Sequence, residues 1–427
     1  MSAAVIFGIL LALMLTGMPI SISLGLTVLS FLFTMTQVPL ESVALKLFTG
    51  IEKFEIMAIP FFILAGNFLT HGGVARRMIN FATSMVGHWY GGLALSGVMA
   101  CALFAAVSGS SPATVVAIGS ILLPGMVKAG FPMRFGAGVI TTSGALGILI
   151  PPSIVMVMYS VATNTSVGAL FMAGVVPGLM LATMLGGVTW YRARKYNYPR
   201  QPKASWATRL RTFRESFWGL FLIVVVMGGI YTGTFTPTEA AAMSAVYACF
   251  VAVFVYKDLG VKDIPRVLLN SANMSAMLLY IITNAVMFSF ILTNENIPQI
   301  LASWMLAKGL GEIAFLLAVN ILLLAAGNFM EPSSIMLIFA PILFPVAIQL
   351  GIDPVHFGIM MTVNMEVGMC HPPVGLNLYV ASGITKMGIT ELTVAVWPWL
   401  LTMLIFLAVV TYWPPLSIWL PRMLGMM

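Results

Sequence analysis

The sequence predicts an all-α polytopic membrane protein with an inverted-topology repeat, two re-entrant helical hairpins and two broken helices. Composition gives the first reason. Of the residues, 60% are hydrophobic and 8% charged, and the mean hydropathy is +1.02, whereas soluble domains carry roughly a quarter charged residues. The second reason is a motif set that occurs twice. One copy runs Gly109-Ser110-Ser111-Pro112, Pro124, Phe135-Gly136, Gly147 to Pro152, then Pro177. The other runs Asn328-Phe329-Met330-Glu331-Pro332, Pro345, Phe357-Gly358, Gly368 to Pro373, then Pro398. Pro112 to Pro151 spans 39 residues and Pro332 to Pro372 spans 40, and each Pro-Pro pair begins 26 residues before the later Pro. The third reason is physical. Gly and Pro interrupt helices, and bare backbone groups in lipid are costly, so matched breaks at membrane depth belong where protein or a solute pathway covers them.

The elements follow in order. Residues 3–20 and 22–37 are apolar helices joined at Gly17-Met18-Pro19; 38–53 is more polar and periplasmic, and 56–70 crosses back. Residues 71–91, with Arg76, Arg77, His88, Trp89 and Tyr90, form an interfacial amphipathic helix. Stretches 92–107 and 113–127 are short for a span of about 20 residues. A tip of small residues joins them, so they read as a hairpin entering from the cytoplasm (92–127). Residues 135–163 make the first broken helix and 168–191 returns. After the basic loop 192–216, residues 217–232 go out and 238–256 come back. Residues 274–293, a surface segment 297–310, a hairpin 313–349 open to the outside, a broken helix 355–385 and a last crossing 391–412 then repeat the pattern inverted.

Charge supports this topology and argues against nucleic acid. The net charge is +7, and eight of the Lys and Arg lie between Arg192 and Arg214. Placing that loop in the cytoplasm leaves only Lys46, Lys53, Lys308 and Arg422 outside, as the positive-inside rule requires, with the N-terminus periplasmic. Cys101, Cys249 and Cys370 are isolated and form no CxxC, which indicates neither a disulfide framework nor a metal site. The first helix lacks a basic n-region and an Ala-x-Ala site, so it reads as a retained span. No GxxxxGK[ST] loop is present, and Ser110 and Ser111 have no plausible His–Asp pair for hydrolase chemistry.

A broken helix bares carbonyl oxygens on one half and N–H groups on the other, which suits Na⁺ and a carboxylate respectively. The first cation site is expected from Ser108, Ser110, Ser111 and Thr114 facing Gly144, Gly147, Ile148 and Pro151. The second is expected from Gly327, Asn328, Glu331, Ser333 and Ser334 facing Thr362, Met369, Cys370 and Pro372. A substrate anion would lie between the tips, near Ser111, Ser153, Pro332, Pro373 and Asn377. Glu331 is either a cation ligand or gate, or a solvated tip residue. Glu366 pairs with His371, stays protonated in the core or, as a minor alternative, takes part directly in proton coupling. Asn67, Asn164 and Asn284 either line the pathway or bridge helices by hydrogen bonding, and bridging is the favoured reading.

The chain resembles the large membrane subunit (DctM-like) of TRAP transporters, the tripartite ATP-independent periplasmic transporters. The likeness runs over essentially the whole length, through Ile59 to Gly66, Ser108 to Thr114, Gly147 to Pro152 and Cys370 to Asn377. The resemblance implies Na⁺-driven uptake of small organic acids across the bacterial inner membrane, C4-dicarboxylates most commonly and sialic acid or other carboxylates in some systems. It implies a periplasmic substrate-binding protein (DctP-like) and a small four-span membrane subunit (DctQ-like) as partners, and no organic cofactor. It also implies an elevator-type scaffold plus transport domain, here scaffold helices 1–70 and 217–293 around repeats 71–191 and 294–427. The rivals are a stand-alone Na⁺/dicarboxylate symporter and an ion channel.

Overall fold

The computed structural model describes residues 2–36, 39–308, 311–328, 330–373 and 375–427. The predicted stretches 22–37, 38–53 and 297–310 run partly outside these, and the motif residues Phe329 and Val374 lie outside them altogether. The described chain is all-helical. It begins α1 (Ser2–Leu15), α2 (Ile20–Met35), α3 (Leu40–Ile51), α4 (Ala58–His71) and α5 (Val74–Val86). It continues α6 (Gly92–Ser108), α7 (Ser111–Lys128), α8 (Met133–Ser143), α9 (Ile154–Thr163) and α10 (Val167–Lys195). After the basic loop come α11 (Trp206–Tyr231), α12 (Pro237–Phe250), α13 (Ile264–Asn294), α14 (Ile297–Ala307) and α15 (Glu312–Gly327). The last five are α16 (Pro332–Gln349), α17 (Pro354–Cys370), α18 (Leu376–Thr385), α19 (Ile389–Tyr412) and α20 (Pro415–Met423). Among the described residues, 8 helical segments are long and apolar enough to cross a membrane.

Local chemistry sets the ends. Ser166 and Ser205 accept the backbone N–H of Ala169 and Thr208, and Thr236 with Glu239 forms a capping box that starts α12. Asp353 accepts two N–H groups at the start of α17, where Pro354 needs none. Two helices extend beyond their apolar stretches: α11 starts at Trp206 and α13 at Ile264. Apolarity marks only the lipid-facing part, whereas helix formation continues into polar residues once a cap such as Ser205 starts it. The segment predicted only as polar, 38–53, contains α3.

The two helices that precede the breaks are the most enclosed part of the fold. Every residue from Val355 to Cys370 and from Phe135 to Ser143 is buried. Small residues let the neighbours close in: a Cβ on Gly138 would lie 2.5 Å from the Ala395 carbonyl oxygen, and one on Gly358 would lie 2.6 Å from the Tyr159 ring. The packing also crosses between the halves. Helices α6 and α7 pack on the first break and α15 and α16 on α17, but α7 also packs on α18, and α16 on α9. At the edge, Arg76 and Arg77 of α5 both pair with Asp258, beyond α12.

Candidate functional site: two tips, two breaks and the cavity between them

The first tip is a turn of two residues. α6 ends at Ser108, Gly109 takes a left-handed φ of +61°, Ser110 is extended and α7 begins at Ser111-Pro112. Only glycine fits comfortably at position 109, because a Cβ there would also sit 2.8 Å from the Pro152 carbonyl oxygen. Inside the tip, the Ser108 and Thr114 hydroxyls lie 3.0 Å apart, and the Thr114 hydroxyl donates to the Ser110 carbonyl at 2.9 Å.

The break opposite it starts where α8 tightens into a 3₁₀ turn, Gly144–Ile148, and ends after a cis Pro151-Pro152 peptide. Ser153 caps α9 and donates its hydroxyl to the Ile148 carbonyl at 2.6 Å. Tip and break touch backbone to backbone. A Cβ on Gly147 would lie 2.6 Å from the Ser110 carbonyl oxygen and 2.8 Å from the Ser111 Cα. Ser108, Ser111, Thr114, Gly144, Gly147, Ile148 and Pro151 are all buried, and Ser110 is half-buried. The nearby Ser143 hydroxyl is buried and has no hydrogen-bond partner among the described residues.

The second tip repeats the arrangement with different side chains. Gly327 ends α15 against Gly368 of α17, and a Cβ on Gly327 would fall 3.0 Å from the Gly368 Cα. The break runs from His371 to Gly375 through a cis Pro372-Pro373 peptide, and Met369 beside it is buried. The Asn328 Oδ1 lies 3.0 Å from His371 Nδ1, and the Ser334 hydroxyl donates to Glu331 Oε1 at 3.4 Å. Thr362 stands apart: its hydroxyl donates to Gly358 of its own helix at 2.8 Å, and it precedes Gly368 by about 9 Å of helix rise.

A cavity of about 370 Å³ lies between the two tips. Of the expected substrate residues, Ser111 and Pro332 border it, together with Ser108, Ser110, Glu331 and Ser333. Ser153, Pro373 and Asn377 are not in its wall. Asn377 instead donates to the Ser111 hydroxyl oxygen at 2.7 Å, joining the second broken helix to the first tip. Its Oδ1 is buried with no partner among the described residues. α4 and α13 contribute wall residues that sequence reasoning did not assign to the site, Thr70, Met274 and Met277 among them. Gly66 packs on the tip, where a Cβ would be 3.1 Å from the Ser108 carbonyl oxygen. The signal for it was present in the Ile59 to Gly66 run.

Asn67 does bridge helices, donating to Ser271 of α13 at 2.8 Å, and Asn164 accepts from Lys53 at 2.8 Å. Asn284 does not: its amide donates to Tyr280 of its own helix. Nor does Glu366 pair with His371. Five residues on a helix turn about 140°, so the two point apart, and His371 faces Asn328. Both Glu366 carboxyl oxygens are buried without a partner among the described residues. The sequence also gave no sign of the polar link across α15, α17 and α19. There Asn364 donates to Asn320 Oδ1 at 2.8 Å and Asn320 donates to Thr411 at 2.9 Å.

Among the described residues no cluster of three His, Cys, Asp or Glu could hold a metal ion. The first tip offers neutral hydroxyl and carbonyl oxygens, a donor set for a hard monovalent cation, and the second adds the Glu331 carboxylate and the Asn328 amide oxygen.

Helical hairpins closing on interrupted helices within a multi-span bundle define a solute permease rather than an enzyme. The chain belongs to the DctM component family of tripartite ATP-independent periplasmic transporters, whose model matches residues 7–416. It is 77% identical, over 100% of both chains, to the C4-dicarboxylate TRAP transporter large permease protein DctM of Rhodobacter capsulatus. It is 41% identical to the isethionate TRAP transporter permease protein DctMQ of Oleidesulfovibrio alaskensis, over 96% of this chain and 65% of that one. Its fold is similar to the crystal structure of the Alcanivorax borkumensis YdaH transporter, with a TM-score of 0.64 at 15% identity over 90% and 91% of the two chains.

Proposed function

We propose that this chain is the permease subunit of a Na⁺-driven, binding-protein-dependent uptake system for C4-dicarboxylates, working in the bacterial inner membrane by an elevator mechanism. The observation that carries the substrate class is full-length identity of 77% to a C4-dicarboxylate permease, against 41% to an isethionate one. The DctMQ relative, one third of which lies beyond this chain, supports a small membrane subunit as partner. The TRAP family itself supports a periplasmic binding protein.

The donor chemistry fits Na⁺. At the first site Gly147 lets the break come against the backbone of the tip, where the Ser110 carbonyl and the Ser108 and Thr114 hydroxyls supply oxygen ligands. Ser108, Ser110, Ser111, Gly144, Gly147, Ile148 and Pro151 would hold one cation. Gly327, Asn328, Glu331, Met369 and Pro372 would hold a second, with Thr362 acting only from further along α17. A bound cation supplies charge that draws the dicarboxylate into the cavity. The chain's own residues do the rest. Ser111 and Pro332 bound the substrate from opposite tips, and Asn377 holds the Ser111 hydroxyl in place.

In this reading the repeats 71–191 and 294–427 have inverted topology and carry re-entrant hairpins 92–127 and 313–349. Together they form the moving domain. The helices of 1–70 and 217–293 form the scaffold, the N-terminus is periplasmic and the loop 192–216 is cytoplasmic. The positions of α4 and α13 along one wall of the cavity support that division.

Reconstitution with the neighbouring subunits tests the proposal. Labelled succinate, fumarate, isethionate and sialic acid are offered to liposomes with and without a Na⁺ gradient. Dicarboxylate uptake that needs both the gradient and the binding protein is expected. Uptake by the lone chain would replace this reading with a stand-alone symporter.

A further inference from the structure

A second cavity, of about 930 Å³, lies away from both tips, between the α5–α6 turn, α6 and α10. Its volume is at the upper end of ligand pockets, about 300–1,000 Å³. The wall along α6 and α10 is apolar: Leu95, Val98, Leu103 and Leu179 line it. At the mouth the chemistry changes. Trp89, Tyr90, Trp190 and His88 gather there with Arg200. The Arg200 guanidinium stacks 3.8 Å from the Tyr90 ring, and the loop carrying it is pinned because the Gln201 N–H donates to the Gly87 carbonyl at 3.0 Å. His88 Nδ1 is buried with no hydrogen-bond partner among the described residues.

Charge selects the occupant. The chain contains no Asp or Glu from Ile56 through Arg214. The acids that answer basic residues of this half, Asp258, Glu391 and Glu215, are already paired with Arg76, Arg77, Arg134 and Arg211. Arg200 forms no ion pair among the described residues, and Arg194 and Lys195 stand close by in sequence. A long apolar slot that ends in an aromatic belt and an unanswered arginine matches one molecule end to end: an acyl chain below and an anionic headgroup above.

We propose that this cavity is a binding site for an anionic phospholipid, with its phosphate on Arg200 and its acyl chain along α6 and α10. The site is independent of the coupling ion and of the transported solute. A lipid seated there would join the α5–α6 turn, the first hairpin and the basic loop into one unit at the membrane surface.

The test uses the full chain in nanodiscs containing photoactivatable phosphatidylglycerol or phosphatidylcholine, with cross-links mapped by peptide mass spectrometry. Phosphatidylglycerol should label the Leu179–Trp190 stretch in preference to phosphatidylcholine. Arg200→Ala should cut that labelling about fivefold, the share of one arginine at an anionic surface, and should lower phosphatidylcholine labelling less, because its choline ammonium offsets the phosphate. Gly187 borders the slot with nothing within 4 Å of its Cβ position, so Gly187→Trp should obstruct it and lower labelling by both lipids without unfolding the helix. Equal labelling by the two lipids in the wild type, or phosphatidylglycerol labelling unmoved by Arg200→Ala, would overturn the proposal. So would protection of the slot by a co-purified membrane subunit.

Discussion

The two breaks share a backbone plan but differ in what surrounds it. Around the first, Pro151 and Pro152 are buried, the tip is built from hydroxyls and carbonyls, and no ionisable side chain takes part. Around the second, Pro372 is half-buried, Pro373 is exposed, and Glu331, His371 and Asn328 supply the polar atoms. Glycine does the same work at both, but to different degrees. Gly147 meets backbone at 2.6 Å, whereas Gly368 meets Gly327 at 3.2 Å. The first break is thus a closed, purely neutral construction. The second is looser and carries side chains that can respond to their surroundings.

Substitutions can break or sharpen this contrast. Gly147→Ala should have the largest effect, cutting uptake on the order of 10²-fold as the tip is displaced from its break, while Gly368→Ala should cost only about tenfold. Equal losses at both glycines in a reconstituted uptake assay would erase the difference in closeness. Ser111→Ala comes next. It leaves the buried Asn377 amide without its best acceptor, a cost of about 1–3 kcal/mol, and should lower both melting temperature and uptake. Ser333→Ala at the opposite tip should lower uptake less than Ser111→Ala, because Ser333, although buried beside the cavity, has no side-chain hydrogen-bond partner among the described residues to be left unpaired.

Glu331→Gln keeps an acceptor for Ser334 but removes the carboxylate beside the cavity. It should raise the Na⁺ concentration needed for half-maximal uptake several-fold, with expression intact; an unchanged Na⁺ dependence would make Glu331 a tip residue only. The smallest effect is expected at Lys53→Met, away from both breaks. Lys53 donates to the Val161 carbonyl at 2.6 Å and to Asn164 at 2.8 Å. Burial lowers its pKa, with Glu55 opposing, so the ammonium's desolvation offsets much of these bonds. A melting shift of no more than a few degrees should result.

The positions of the helices, hairpins and breaks were legible because Gly, Pro and small polar residues encode them locally. Gly109, Gly147 and the Pro-Pro pairs signal their roles by residue type and spacing alone. What escaped depends on which faces meet. The repeat brings Asn377 and Ser111 to one expected site, but nothing near Asn377 announces that it bonds directly to Ser111, 266 residues away. The Glu366–His371 pairing failed on helix phase, and the lengths of α11 and α13 exceeded their apolar runs because hydropathy reports solvent, not backbone conformation. The Asn320–Asn364 link was hidden for the first reason: two asparagines in separate apolar stretches give no hint that they face each other.

The crossed packing of α7 on α18 and α16 on α9 also bears on biogenesis. Neither half supplies all the walls of its own hairpin, so α7 must await residues near Leu376 before its neighbour exists. During synthesis the early hairpin would sit in the bilayer incompletely clothed, a natural client for an insertase or chaperone. A gene split within the basic loop should yield fragments that mature only when made together.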